Sequence, residues 1–350
     1  MGVKQLLKKI LLYLIPFVIL FAVFFCFETY DYFALQKSPQ YQIEPLTALR
    51  YIMVERPSRI ILGDSRMANL DVDYINELTG EKYERLAFGG AQLGESIELF
   101  WYATEYCELE QVIFGVNFYT SKGTQIGPQN NSVVSKTIPY AKNIFRFATN
   151  MNYWLKALAN IKQKVTNPIY RALDMQERVV VPENPPKDVL NPNPEMGEKY
   201  RLEMEQYADT IQLGMMDYDF QDATYEALQE VIDYCERNNI DLIFVLPPVH
   251  DVIYERVIDV NEMEDDLKQI KEFLISRATV YDFELQSDFT AAVDTFYDGF
   301  HLMLENKRLF ARLLFTDTDE HPELVRRYIR NDVAIIQEHL SMQRYVYDKE

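Results

Sequence analysis

The stretch RIILGDSRM, residues 59–67, ends an apolar run abruptly at Gly-Asp-Ser. Residues 59–62 have the composition of a short buried strand, and Ser65 follows shortly after it. A serine in such a cluster is most often a turn residue that ends the strand, but it can also be a nucleophile held at the strand's end. The second interpretation requires that catalytic side chains from other parts of the chain lie beside Ser65, whereas the first does not.

Four further segments have the same short, apolar character, at 83–88, 111–116, 241–246 and 279–283. Patterns with helical spacing separate most of these segments, at 72–78, 94–106, 222–237, 261–276, 305–315 and 323–341. Strands that alternate with helices form parallel sheets covered on both faces. The sequence therefore predicts an α/β fold with a five-stranded parallel sheet.

The interval 118–220 interrupts this alternation, because it separates the third and fourth strands where a short helical crossover would suffice. It contains a helical pattern at 144–165 and a loop rich in proline and asparagine at 182–194. We interpret the interval as an inserted cap or substrate-shaping subdomain, with a mobile loop as the alternative.

Residues 10–27 form an uncharged apolar run of 18 residues. As a helix the run is about 27 Å long, close to the roughly 30 Å hydrocarbon core of a bilayer. Lys4, Lys8 and Lys9 precede it, while Glu28 and Asp31 follow it, which predicts a cytoplasmic N-terminus and an extracytoplasmic body. A cleaved signal peptide is the alternative, but no A-x-A site follows the run. We therefore expect residues 1–30 to be a single-pass anchor in the cell membrane and residues 31–350 to be the functional domain.

Charge and cysteine content narrow the range of functions. The formal net charge of −19 would repel phosphate backbones, so no nucleic-acid partner is expected. The three cysteines, Cys26, Cys107 and Cys235, are far apart and lack CxxC or neighbouring-histidine spacing. Neither a disulfide framework nor a metal site is therefore expected.

Polar residues follow the predicted strands at the points where the strands end, and ligands of open parallel sheets bind at these ends. The residues concerned are Ser65, Gly90, Asn117, His250, Asp298 and His301. A serine hydroxyl becomes a good nucleophile when an imidazole takes its proton, and a carboxylate that fixes the tautomer of the imidazole assists this transfer. Ser65, His301 and Asp298 are therefore the candidate nucleophile, base and orienting acid of an acyl-transfer site.

Acyl transfer also requires hydrogen-bond donors that face the developing oxyanion. The backbone N–H groups of Ser65 and Gly90 and the side-chain amide of Asn117 are the candidate donors. Asp64, Arg66 and His250 are candidates for lining the pocket, with a structural role as an equal alternative for His250.

Four short motifs, GDSR at 63–66, AFGG at 87–90, GVN at 115–117 and DGFH at 298–301, resemble the four blocks of the SGNH hydrolases, also called GDSL esterases and lipases. The resemblance implies a flavodoxin-like three-layer fold in which Ser65 is the nucleophile and His301 the base. It implies that Asp298 orients His301, with Asp294 as the runner-up, and that Ser65, Gly90 and Asn117 form the oxyanion hole. Chemistry of this kind requires no cofactor.

Two positions depart from the pattern of the SGNH hydrolases. Arg85 stands where members usually have Asn before the glycine of the second block, and Phe118 stands where the third block commonly has Asp. We therefore expect the substrate contacts to differ from those of most members.

The anchor, the GDSR block and LPPVH at 246–250 most resemble the membrane-tethered branch of that family, which includes D-alanyl-lipoteichoic acid transfer proteins and polysaccharide O-acetyltransferases. This resemblance implies an extracytoplasmic serine esterase or O-acyltransferase that acts on acetyl or D-alanyl esters of a cell-surface polysaccharide or teichoic acid. A membrane-bound O-acyltransferase is the expected protein partner. The alternatives are a lipid esterase and a non-catalytic partner of such an acyltransferase.

Overall fold

The computed structural model describes residues 3–34, 44–117, 132–166, 194–215, 222–292, 295–296, 298–318 and 320–330. Six strands form its central sheet: β1 (Arg59–Leu62), β2 (Tyr83–Arg85), β3 (Gln111–Gly115), β4 (Asp241–Leu246), β5 (Thr279–Asp282) and β6 (Arg326–Tyr328). Their order across the sheet is β2-β1-β3-β4-β5-β6, and all neighbours are parallel except β5 and β6. The predicted mixed α/β architecture with a mostly parallel sheet is confirmed.

The antiparallel edge strand β6 corrects two predictions, the five-stranded sheet and the start of the helix at 323–341. Tyr328 pairs with Val280 of β5 and is only 1% exposed. The guanidinium of Arg327 donates hydrogen bonds to the carbonyl oxygens of Leu313 and Thr318, both at 2.8 Å. A three-residue strand is too short to show an alternating pattern, so these tertiary contacts decide its conformation. Residues 331–341 of the predicted helix lie outside the described residues.

The helices are α1 (Val3–Phe27), α2 (Pro45–Glu55), α3 (Ser65–Ala68), α4 (Val72–Thr79), α5 (Leu93–Tyr106), α6 (Val133–Lys142), α7 (Ile144–Thr149), α8 (Met151–Thr166), α9 (Pro194–Met215), α10 (Asp222–Arg237), α11 (Asp251–Tyr254), α12 (Glu264–Ile275), α13 (Asp288–Ala291) and α14 (Leu304–Phe315). A π-helical turn at Glu255–Asp259 continues α11, and a 3₁₀ turn at Pro322–Leu324 precedes β6. Helix α10 has the predicted bounds, whereas α12 begins at Glu264 instead of residue 261.

Side chains of the central strands alternate between two hydrophobic cores, one on each face of the sheet. Ile60 and Leu62 of β1 join the core that includes residues of α2, α5, α10 and α12, whereas Ile61 joins the core that includes α4 and α14. This alternation follows from the two-residue period of a strand. Helices therefore cover both faces, and the carboxyl ends of the parallel strands form one open edge, as in other open parallel sheets.

Helix α1 is the one described helix that is long and apolar enough to cross a membrane. Its most apolar window has a mean hydropathy of 2.9, and 6% of that window is buried within the protein. These properties are consistent with a membrane anchor. A membrane crossing by α1 and the direction of that crossing stay predictions.

The described parts of the interval 118–220 pack in two different places. Helix α6 packs against α2, and α8 packs against α1, whereas α9 packs against α11 and the π-helical turn. A Cβ placed on Gly299 would lie 3.1 Å from Met204 Cγ of α9, so α9 borders the loop that carries Asp298 and His301. Among the described parts of the interval, α9 is the one placed where a cap would be, and the cap role of the interval stays a prediction.

Candidate active site

Ser65 begins the short helix α3 directly beyond the carboxyl end of β1. Asp64 is the N-cap residue of α3, and its Oδ1 accepts a hydrogen bond of 2.9 Å from the backbone N–H of Arg66. Capping by aspartate stabilises the first turn of a helix because the first N–H groups have no partner within it. The chain therefore reverses sharply after the strand, and the cap fixes the position of Ser65.

Close packing around Met67 holds α3 against the sheet. Gly63 has a φ of +137°, and a Cβ placed on it would lie 2.7 Å from Met67 Cγ. A Cβ on Gly115, at the end of β3, would overlap the same Met67 atom and lie 3.3 Å from the carbonyl oxygen of Leu62. The glycines at 63 and 115 thus allow the Met67 side chain to lie between the ends of β1 and β3, a requirement that the sequence motifs alone do not reveal.

We expect Gly115→Ala to lower the free energy of unfolding by about 1–3 kcal/mol, because the added methyl group overpacks the site around Met67. Met67→Ala removes the atom that the new methyl group meets, so Gly115→Ala should cost clearly less in that background. Chemical unfolding of the two single variants and the double variant in detergent measures this coupling. Strictly additive losses would contradict the proposed steric contact.

Ser65, His301 and Asp298 form a continuous hydrogen-bonded series. His301 Nε2 lies 2.8 Å from Ser65 Oγ, and His301 Nδ1 lies 2.6 Å from Asp298 Oδ2. Because a carboxylate only accepts hydrogen bonds, Nδ1 carries the proton that faces Asp298 and Nε2 accepts from the serine hydroxyl. Ser65 and His301 are 236 residues apart in sequence, and the fold brings their side chains together.

The loop around Asp298 holds this carboxylate in its ionised form. Asp298 Oδ1 accepts hydrogen bonds from the backbone N–H groups of Phe300 at 3.1 Å and His301 at 2.9 Å. Burial alone would raise the pKa of Asp298, but the hydrogen bond and charge of the His301 side chain, together with the two backbone donors, lower it overall. An ionised Asp298 therefore orients the His301 ring through the hydrogen bond to Nδ1.

Asp64, Arg66 and Asn117 form a second, fully buried cluster beside Ser65. Asp64 Oδ2 accepts a hydrogen bond of 2.5 Å from Asn117 Nδ2 and one of 3.3 Å from Arg66 Nε. Arg66 Nη1 donates to the carbonyl oxygen of Pro247 at 3.1 Å. Burial opposes ionisation of Asp64, but the charge of Arg66 and the hydrogen bonds from Asn117 and Arg66 lower its pKa overall. The cluster therefore joins the carboxyl ends of β1, β3 and β4.

A small cleft adjoins this cluster. Its lining includes Arg66 and Phe300, which are chain neighbours of Ser65 and His301, and also Asn69 and Lys307. Arg66 lines this cleft and Asp64 directs its carboxylate toward Arg66 and Asn117, and the pocket roles of Asp64 and Arg66 stay predictions.

His250 is hydrogen-bonded to the loop that carries Asp298 and His301. Its backbone N–H donates to the carbonyl oxygen of Gly299 at 2.9 Å, and its Nδ1 accepts from the backbone N–H of Val252 at 3.1 Å. Its ring packs edge-on against Phe296, and burial lowers its pKa despite the opposing effects of the Ala291 backbone and Glu255. These contacts favour the structural alternative that the sequence left open for His250.

Two further positions that the sequence singled out, Gly90 and Arg85, lie in or just after β2. Gly90 lies in an exposed turn after β2 with a φ of +74°, where glycine is favoured. Arg85 is buried in β2, and its Nη1 donates to the carbonyl oxygen of Leu70 at 2.6 Å. Asp294, the runner-up carboxylate, and Phe118 lie outside the described residues.

The fold and these contacts define an α/β protein with a serine, a histidine and an aspartate hydrogen-bonded in series at the open edge of its sheet. Comparison with known families matches residues 116–317 to the family described as "Protein of unknown function (DUF1574)". This match covers more than half of the chain, so the chain belongs to the DUF1574 family. The matched region contains Asn117, Asp298 and His301 and begins after Ser65. No curated protein matches the chain.

Proposed function

We propose that this chain is a membrane-anchored serine esterase or O-acyltransferase of the SGNH type. The observation that carries the proposal is the series of contacts from Ser65 Oγ through the His301 ring to Asp298, with heavy-atom distances of 2.8 Å and 2.6 Å. Both distances lie within the range required for proton transfer between positioned groups. The flavodoxin-like assignment of the fold belongs to the same proposal.

In the proposed reaction, Ser65 Oγ attacks the carbonyl carbon of an ester while His301 Nε2 takes the hydroxyl proton. Asp298 stabilises the imidazolium that forms. The tetrahedral intermediate collapses as the C–O bond to the alcohol breaks, and His301 returns the proton to the leaving alcohol. Water or a glycan hydroxyl then attacks the acyl-Ser65 carbonyl while His301 removes its proton. The bond between the acyl carbon and Ser65 Oγ breaks, His301 returns the proton to Ser65 Oγ, and the free acid or the new ester is released.

The oxyanion of each tetrahedral intermediate would be bound by the backbone N–H groups of Ser65 and Gly90 and by the Asn117 amide. Ser65 is at the first position of α3, where backbone N–H groups have no intrahelical acceptor. Asn117 Nδ2 carries two hydrogens, and the bond from one of them to Asp64 fixes the direction of the other. In this proposal, the buried cluster of Asp64, Arg66 and Asn117 orients a donor of the oxyanion hole.

The proposed substrate is an acetyl or D-alanyl ester of a cell-surface polysaccharide or teichoic acid. Support comes from the resemblance to the membrane-tethered SGNH branch and from α1, which would keep the domain at the extracytoplasmic membrane surface. The cleft that contains Lys307 adds a cationic group suited to an anionic polymer. A membrane-bound O-acyltransferase that supplies the acyl group is the proposed protein partner.

A fluorophosphonate probe tests the nucleophile directly, because it traps only a serine that is activated for attack. We expect the probe to label the full-length chain, and mass spectrometry of its peptides to place the adduct on Ser65. The matched control is the same chain unfolded in guanidinium before the probe is added, which should remain unlabelled. An unlabelled native protein, or an adduct on another serine, would reject the assignment.

A further inference from the structure

The segment that forms α6–α8 has a charge opposite to that of the rest of the chain. Residues 133–166 contain six lysine or arginine residues and no aspartate or glutamate, whereas the complete chain has a formal net charge of −19. Among the basic side chains, Arg146 of α7 and Lys162 of α8 are exposed. A local excess of positive charge on an acidic protein indicates a surface that meets an anionic partner.

The same segment exposes large apolar side chains. Phe145 of α7 is 76% exposed, and Met151, Leu155 and Leu158 of α8 are 70%, 57% and 52% exposed. The three residues of α8 are spaced i, i+4, i+7 and therefore lie on one face of the helix. Another part of the α8 surface already packs against the protein, since Ala157 is buried and Trp154 packs on Phe24 of α1 at a centroid distance of 4.5 Å. We call Phe145, Met151, Leu155 and Leu158 the apolar stripe.

The end of α1 is fixed to the body at this same place. Phe24 is fully buried among the rings of Trp154, Phe147 and Phe25. Asn160 Nδ2 of α8 donates to the carbonyl oxygen of Phe27 at 2.9 Å, and Glu28 accepts from the backbone N–H groups of Tyr30 and Tyr32. The connection between α1 and the body is therefore a packed joint.

The length of α1 then determines how close the body comes to the bilayer. The uncharged run begins at Ile10, and contact with the body begins at Phe21, whose ring meets Trp154. The 11 residues between these points, 10–20, extend about 16 Å, roughly half of a hydrocarbon core of about 30 Å. If the whole run of 18 residues is in the hydrocarbon, the part of the body that packs around residues 21–27 lies within about 10 Å of the outer boundary of the hydrocarbon.

We propose that α7 and α8 lie in the interface of the bilayer that α1 crosses. The apolar stripe enters the upper part of the acyl chains, and exposed basic side chains such as Arg146 contact the headgroups of anionic phospholipids, while Lys142 and Lys156 form ion pairs with Glu105 and Glu44. This contact holds the body at a fixed orientation on the membrane. The inference requires that α1 crosses a bilayer and is independent of the proposed acyl-transfer chemistry.

Site-directed spin labelling tests the proposal on the full-length chain. The parent variant replaces Cys26 and Cys107 by alanine and retains Cys235, which is only 1% exposed. One nitroxide is attached at Leu158→Cys in the apolar stripe, and the matched control is attached at Asn152→Cys, exposed on the same helix but about 120° away around its axis. Each spin-labelled variant is reconstituted as one chain per nanodisc of phosphatidylcholine and phosphatidylglycerol. The rate at which the nitroxide collides with oxygen is then compared with the rate at which it collides with a water-soluble nickel chelate.

We expect the ratio of oxygen to nickel collision to be several-fold higher at residue 158 than at residue 152. Equal, water-like ratios at both labels in nanodiscs would overturn the proposal and favour an integral membrane protein as the occupant of the stripe. A label at residue 158 that neither reagent reaches would indicate contact with another copy of the chain and would also overturn it.

Discussion

We expect Ser65→Ala to reduce kcat for a soluble model ester, such as a nitrophenyl acetate, by about 10⁴-fold or more. In triads that act as a unit, removal of the nucleophile leaves only the catalysis that comes from binding and from the oxyanion hole. Ser65 Oγ contacts His301 Nε2, a partner in catalysis, so its removal should leave the fold intact. Steady-state hydrolysis by purified full-length protein measures the loss, and thermal unfolding of both proteins checks the fold.

Ser276→Ala is the matched control, because Ser276 is exposed at the end of α12 and far from Ser65 in sequence. It should retain the wild-type kcat. Unchanged hydrolysis by Ser65→Ala would contradict the proposed mechanism. If the wild-type chain is inactive and Ser65→Ala fully replaces it in cells, the non-catalytic partner role is correct instead, and release of fatty acid from phospholipid would favour the lipid esterase.

The meeting of Ser65 with His301 was predictable because the sheet is parallel. Each short motif follows a strand or its adjoining loop, and the carboxyl ends of parallel strands form a common edge. The pattern of apolar strands therefore predicts that Ser65 and Asn117 lie at the same edge of the sheet. Their contacts were not predictable to the same degree. The 2.5 Å bond from Asn117 to Asp64 depends on the exact approach of β3 to β1, which the glycines at 63 and 115 permit.

Two parts of the fold could not be derived from the sequence for a different reason. The strand β6 is defined by its pairing with β5 and by burial of Tyr328, and both depend on distant residues. The helical spacing in α8 predicted a helix but not its neighbour, because an apolar face can pack against the sheet, a cap or α1 with equal ease. Packing of Trp154 on Phe24 resolves this ambiguity in favour of α1.

We expect the second large effect, a loss of stability, when a buried ionic cluster at the carboxyl end of β5 is disrupted. Lys271 Nζ of α12 lies 3.1 Å from Asp282 Oδ2 and 3.5 Å from Glu284 Oε2, and it donates to the carbonyl oxygen of Glu284 at 3.1 Å. All three residues are less than 9% exposed. Burial opposes the charge of Lys271, but the two carboxylates raise its pKa overall, whereas burial raises the pKa of Glu284 despite the opposing charge of Lys271.

Lys271→Met should lower the free energy of unfolding by about 3–5 kcal/mol at pH 8, because it leaves two carboxylates buried without a cation. Lys271 has a raised pKa, so its stabilising effect is fully present below the ordinary lysine pKa and is lost only as the pH rises through the higher value of the folded state. The deficit should shrink at pH 5, because burial raises the pKa of Glu284 and its protonation removes charge from the interior. Denaturant unfolding at the two pH values measures both effects, with Lys268→Met, one turn earlier on α12 and partly exposed, as the control. Adding Asp282→Asn to Lys271→Met should restore part of the loss, since it removes one of the two uncompensated charges. A loss for Lys271→Met no larger than that for Lys268→Met would show that the ionic cluster does not stabilise this end of the sheet.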